Sequence, residues 1–193
     1  MEQKAVIDYF DRAAAHWDAE LIRNDRVISA ILDGAEVAPG KDVLDVACGT
    51  GVLFPDYAAR RVGSLTAIDI SPEMVQIARS KLPGGTVLCG DAQIVPFSRR
   101  FDCIVIYNAF PHFPDPRGLL AHLAGQLKPG GTLTVAHGMS RAAIDRHHSG
   151  SAAQISVGLM DAESLAGLFR SVGLSVCVLR SDDTMYQVTG RKE

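Results

Sequence analysis

The chain has 193 residues, 47% of them hydrophobic and 21% charged, with a formal net charge of −3. Length and composition suit one compact α/β domain with a sizeable core. The acidic balance argues against bulk DNA or RNA as a partner, with a local basic patch as the alternative.

The opening stretch MEQKAVIDYFDRAAAHWDAE is too charged for a signal peptide, and no run approaches the ~18 continuous apolar residues of a membrane span. The expectation is a cytoplasmic protein with no membrane partner; oligomeric state is not legible. Val6, Phe10, Ala13 and Trp17 recur at helical spacing, as do Ile28, Ile31 and Leu32, so the first 35 residues read as two helices. Pro39-Gly40 stops that pattern. Asp42–Val46 then reads as a first strand and Leu65–Asp69 as a second. Ser71 is a helix cap with Pro72 behind it, Gly84-Gly85 closes that helix, and 86–89 is a third strand. Residues 102–107 are apolar on both faces, as a central parallel strand should be. A helix from Asp115-Pro116 carries Leu120, Leu123, Ala124 and Leu127 on one face and is ended by Pro129-Gly130-Gly131. A fifth strand over 132–136 follows. Asp161 caps a further helix, and two late strands, 174–179 and 185–189, read as antiparallel. Cys48, Cys89, Cys103 and Cys177 form no CxxC pair and read as small buried thiols in a reducing compartment.

Alternation of strands and helices implies right-handed crossovers and a parallel sheet covered on both faces, with ligands beyond the carboxyl ends of the strands. Asp45-Val46-Ala47-Cys48-Gly49-Thr50-Gly51 follows the first strand and opens a helix. Gly49 and Gly51 permit positive φ and close approach of a ligand. Phe54 stands where a dinucleotide fingerprint has its third glycine, which argues against a dehydrogenase. A carboxylate at Asp45, ahead of the turn, suits a cationic or ammonium-bearing ligand rather than a pyrophosphate. Asp69 ends the second strand, where a carboxylate can accept from both hydroxyls of a ribose. Asp91 follows the third strand, placed for an adenine amino group, and Asn108 and Ala109 end the fourth. Any one aspartate after a strand is ordinarily a turn or cap. Four signals at successive strand ends are harder to assign to chance.

DVACGTG, AIDIS, GDAQ and LKPGGTL together resemble the class I, Rossmann-like methyltransferases that use S-adenosylmethionine (SAM), well over residues 40–137 and more loosely elsewhere. Ala47 replaces the first glycine of the family's D-x-G-x-G-x-G loop. The resemblance implies a doubly wound, seven-stranded sheet, mostly parallel with an antiparallel C-terminal strand, with helices on both faces. It implies a single domain over 1–193, residues 1–35 as a helical lid and 36–193 as the core. It also implies that Asp45, Ala47, Cys48, Gly49 and Gly51 hold the methionine end of SAM, that Asp69 binds the ribose, and that Ile70, Asp91 and Ala92 meet the adenine. Met74 is counted with them, and Asn108 lies near the transferred methyl. YFDRAAAHWD resembles the lid helix of small-molecule members, in which Tyr9, Phe10 and Trp17 would close over the cofactor. Packing of that face on the core is the competing reading.

Methyl transfer is an in-line displacement in which the cofactor carries the chemistry, so the protein's tasks are alignment, water exclusion and proton removal. His112 after the fourth strand, His137 at the end of the fifth, and His147 and His148 beyond it are the candidate bases; an exposed polar loop with incidental histidines is the alternative. No metal site is expected. The sequence reads as a SAM-dependent methyltransferase of a small molecule, against two alternatives: a non-catalytic SAM- or nucleotide-binding module, and a methyltransferase of a macromolecule.

Overall fold

Each short apolar run becomes a strand because its two faces meet different helical layers. In the computed structural model, residues 2–148 and 155–193 are described, the side chains of 145–148 aside. Two helices come first, α1 (Gln3–Glu20) and α2 (Asp25–Gly34). There follow β1 (Asp42–Val46), α3 (Phe54–Ala59), β2 (Ser64–Asp69), α4 (Pro72–Lys81) and β3 (Thr86–Cys89). The chain continues through β4 (Phe101–Tyr107), a 3-10 turn (Phe110–His112), α5 (Pro116–Gly125), β5 (Leu127–His137) and α6 (Arg141–His148). It closes with α7 (Ala162–Ser171), β6 (Leu174–Ser181) and β7 (Tyr186–Lys192).

The seven strands form one sheet in the order β3-β2-β1-β4-β5-β7-β6. β1 to β5 are parallel, and β7 runs antiparallel to both β5 and β6. The order reverses between β1 and β4, which opens a crevice at their carboxyl ends. Side-chain alternation assigns the layers. Val43, Ala67, Cys103 and Val105 face Ile28 and Leu32 of α2, Tyr57 of α3 and Val75 of α4. Leu44, Val46, Ile104 and Ile106 face α5 and α7.

The expected caps hold. Ser71, Asp115 and Asp161 accept from the backbone N–H of Met74, Gly118 and Ser164, and proline opens α4 and α5 behind the first two. Four expectations are corrected. Leu127 is not on α5; the helix ends at Gly125 and Leu127 starts β5 opposite Phe101, so the strand runs through Pro129-Gly130-Gly131. Residues 141–148 are a helix rather than a loop. Cys48 and Cys103 are buried, but Cys89 and Cys177 are exposed, because β3 and β6 are the two edges of the sheet. The N-terminal 35 residues also divide: α1 lies over the crevice, whereas α2 is part of a core layer.

Candidate active site

The turn after β1 adopts a backbone that most side chains avoid. Ala47, Gly49 and Gly51 have φ of 54°, 55° and 87°. For Ala47 this is the left-handed region, where the family has glycine, at a cost of about 1–2 kcal/mol. Cys48 N–H donates to Ile68 O at 3.1 Å, which stitches the turn to the end of β2. A Cβ on Gly51 would lie 2.5 Å from Phe54 Cδ2. Phe54 thus fills the space above this glycine, which explains the residue found in place of a third glycine.

Asp69 braces the turn from β2. Its Oδ2 accepts from Gly49 N–H at 2.8 Å and its Oδ1 from Ser71 N–H at 2.9 Å. Each carboxylate oxygen has a further lone pair for a ligand hydroxyl. Burial pushes the Asp69 carboxyl above the usual range, partly offset by the hydrogen bonds from Ser71 and Gly49. Asp45 is 2% exposed, and its Oδ2 has no hydrogen-bond partner among the described residues. Burial first, and then the charge of Asp69, raise its pKa well above an ordinary carboxyl. A carboxylate buried in that state is a candidate site for a cation.

A cleft of about 150 Å³ opens at the carboxyl ends of β1 to β4. Of the residues expected in the site, Ala47, Gly49, Asp69, Ile70, Met74, Asp91, Ala92, Asn108 and His112 line it. Asp45, Cys48 and Gly51 sit in the wall of the turn rather than on the cleft surface. Asp91 Oδ1 accepts from Gln93 N–H at 2.9 Å, and Oδ2 from the Gln3 amide at 2.7 Å. Asn108, at φ 55°, uses Oδ1 to accept from Gly138 N–H at 2.9 Å and so ties the ends of β4 and β5 together.

α1 roofs the cleft through Gln3, Val6 and Phe10. The Phe10 ring packs edge-on against Tyr9, Trp17 and His112, at 5.2, 5.7 and 5.1 Å between centroids. Tyr9 and Trp17 therefore buttress the roof instead of lining the cleft. Trp17 Nε1 would stand 3.8 Å from a Cβ at Gly49, so it overlies the glycine turn. Polar contacts hold the roof down. Asp11 accepts from Ser71 Oγ, and Asp18 accepts from Thr50 Oγ1 at 2.6 Å and pairs with Lys81.

The candidate bases separate. His112 is in the cleft, its Nδ1 2.7 Å from Ile155 O. A carbonyl only accepts, so Nδ1 carries the hydrogen and Nε2 is the basic nitrogen of the neutral ring. His137 is 2% exposed, on β5 opposite Tyr186, whose ring lies 6.0 Å away; it is not a lining residue. His147 and His148 belong to α6, but their side chains lie outside the described residues. Among the described residues no group of histidines, cysteines or carboxylates is placed to hold a metal. Gln3, Tyr107, Phe113 and Pro114 also line the cleft. Position after β4 was a usable signal for the last three; nothing local marks Gln3.

SAM carries a sulfonium, an α-ammonium, a ribose and an adenine. An unpartnered buried carboxylate under the turn, a second at the end of β2 and an apolar slot between Ile70 and Ala92 fit those groups. A methyltransferase-domain family profile matches residues 44–135. A demethylmenaquinone methyltransferase from Renibacterium salmoninarum is 34% identical over 107 residues, 55% of this chain and 45% of that protein. A ubiquinone biosynthesis O-methyltransferase from Xanthomonas campestris pv. campestris is 39% identical over 103 residues, 49% and 42% of the two chains. The chain thus spans about half the length of the curated relatives it matches. Magnesium protoporphyrin IX methyltransferase from Synechocystis, solved with bound S-adenosylhomocysteine, superposes with a TM-score of 0.74 at 17% identity, covering 100% of both chains. Residues 44–135 thus match the methyltransferase-domain family, and the chain has the fold of a SAM-dependent methyltransferase solved with S-adenosylhomocysteine.

Proposed function

We propose that the protein methylates a small, uncharged, ring-bearing acceptor at an ionisable hydroxyl, with His112 as the base. The observation that carries this reading is the makeup of the acceptor end of the cleft. Phe10, Tyr107, His112, Phe113 and Pro114 bound it, and no lysine or arginine is among the described lining residues. Such walls favour a flat apolar body and offer nothing to a carboxylate or phosphate. Two relatives named for quinone chemistry support a ring acceptor. In this reading the Asp45 carboxylate, set in the wall behind the turn, attracts the ammonium of SAM, and Asp69 takes its ribose hydroxyls. Ile70, Met74 and Ala92 enclose the adenine, Asp91 takes its amino group, and Asn108 stands beside the transferred group. When bound, SAM supplies a methyl carbon made electrophilic by the sulfonium. α1 acts as a lid on the 36–193 core and excludes water. His112, oriented by Ile155 O, removes the hydroxyl proton at Nε2.

The test pairs calorimetry with S-adenosylhomocysteine and a transfer assay over phenols, catechols, hydroquinones and matching carboxylic acids. Transfer to ring hydroxyls alone is expected. His112→Ala should bind S-adenosylhomocysteine normally and lose about 10²–10⁴-fold in turnover. Binding without transfer to any ring hydroxyl would overturn the proposal in favour of a binding module, and transfer to the acids would overturn the acceptor class. A rise in KM at unchanged kcat would make His112 a positioning residue instead.

A further inference from the structure

We propose that Tyr57 is a positioning residue for the cofactor, its hydroxyl supporting the ionised carboxylate of Asp45 and thereby setting affinity for the ammonium end of SAM. The proposal rests on Asp45 being the ammonium site. Residues alternate across a strand, so Asp45 shares a face of β1 with Val43, the face covered by α2, α3 and α4. Its cross-strand neighbours are Ala67 on β2 and Val105 on β4, neither with a side-chain hydrogen-bonding group. Tyr57 of α3 belongs to that same layer and is 0% exposed. Its hydroxyl, like Asp45 Oδ2, has no hydrogen-bond partner among the described residues.

A lone buried acceptor and a lone buried donor in one apolar layer are each costly and are complementary to each other. The titratable groups whose charge interacts with that of Asp45 are Asp69 from the end of β2, Cys48 from the turn and Tyr57 from α3. Cys103 on β4 and Asp56 act further on Tyr57. None of these is a cation. Asp69 opposes ionisation of Asp45, and the Cys48 Sγ is directed to Gly49 O. Burial, then the charge of Asp45, push the Tyr57 phenol well up, so it keeps its proton and remains a donor. The two groups make no direct hydrogen bond, so one bridging water is the link this reading requires. Phenylalanine would fill the same volume, so packing alone does not call for the hydroxyl.

Tyr57→Phe should fold, and should bind S-adenosylhomocysteine about 10- to 150-fold more weakly at neutral pH, the usual effect of one hydrogen bond to a charged group. Without the donor, Asp45 protonates at higher pH, so the loss of affinity on acidification should begin about one pH unit earlier. In an Asp45→Asn background the same substitution should change nothing further. An unchanged affinity and acid limb in Tyr57→Phe would overturn the proposal. So would additivity of the two substitutions, which would mark a packing effect. An Asp45→Asn variant that binds normally would instead sink the ammonium reading of Asp45. In the unmodified protein, the ¹³Cζ shift of Tyr57 should follow the ionisation of Asp45 across pH, and an insensitive shift would overturn the link independently of any variant.

Discussion

The first two helices stand side by side in sequence and are held by opposite means. α1 has 18 residues and buries only Val6 and Ala14. α2 has 10 and buries Val27, Ile28, Ile31 and Leu32. α1 is fixed by polar tethers: Asp11 to Ser71, Asp18 to Thr50 and Lys81, and Gln3 to Asp91. α2 is fixed by apolar contact with the sheet layer and by its carbonyls, Ile31 O accepting from the Gln187 amide at 3.0 Å. Length is therefore no guide to anchorage. Apolar burial makes α2 part of the folded core, whereas α1 rests on a smaller apolar cluster around Val6 and Ile155 and on exposed polar tethers.

The sharpest way to break this comparison is to substitute inside each helix. Ile31→Ala should cost about 2–5 kcal/mol of stability in denaturant titrations, since Ile31 is 0% exposed; a loss below 1 kcal/mol would mean that α2 is not core. The same division runs through the glycine turn. Gly51 faces the Phe54 ring, so Gly51→Ala adds overlap to left-handed strain and should destabilise by on the order of 3 kcal/mol. Gly49 faces Trp17 of the cover at ordinary contact distance, and Gly49→Ala should cost only the strain, about 1–2 kcal/mol. Equal losses at the two positions would erase the distinction.

Asp45→Asn should act in the opposite direction on the free fold. Removing a buried, unpartnered charge should stabilise the unliganded protein by about 1–3 kcal/mol near neutral pH while weakening S-adenosylhomocysteine binding. The pH dependence has a definite sign. With its pKa raised in the folded state, Asp45 holds more proton folded than unfolded, so wild-type stability falls as pH rises from the ordinary carboxyl range through the raised value. The advantage of the asparagine variant should therefore shrink on acidification, and an advantage that grew would refute the assignment. The smallest effect belongs to the cover. Asp18→Ala removes a half-exposed ion pair worth about 0.2–1 kcal/mol. Burial raises the Asp18 carboxyl, but the hydrogen bonds from Lys81 and Thr50 outweigh it and hold the pKa low. That tether is present above the ordinary carboxyl pKa and lost as pH falls through the lowered one. Amide exchange in α1 should quicken in the variant with exchange in α2 unchanged; quickening in both would tie the two helices together.

What was legible in the sequence follows the same line. β1 and β3 fall on the expected residues, and Ser71, Asp115 and Asp161 cap as expected, because strand alternation and caps are local. The acidic and glycine residues at the strand ends were legible because the fold rule fixes where ligands bind. The rest depends on what lies across the structure. Leu127 fits a helix face until Phe101 pairs with it. Cys89 and Cys177 lie in apolar runs that turn out to be edge strands. Gln3 reaches Asp91 across 88 positions, and Tyr57 reads as a plain core aromatic until its buried hydroxyl is found without a hydrogen-bond partner among the described residues.

The place of β7 between β5 and β6 bears on how the protein folds in time. β6 precedes β7 in the chain yet cannot join the sheet at its final position until β7 lies beside β5. The two strands meet through a turn organised by Asp182, whose Oδ1 accepts from Thr184 and Met185 N–H while its own N–H donates to Met185 O. A hairpin of this kind forms on its own in about 1–10 μs, whereas each parallel pairing among β1 to β5 must first close a loop around a helix. Contact order thus predicts that the parallel half, which builds the crevice, and not the β6–β7 hairpin sets the folding rate; φ-values near 1 in the hairpin would contradict this.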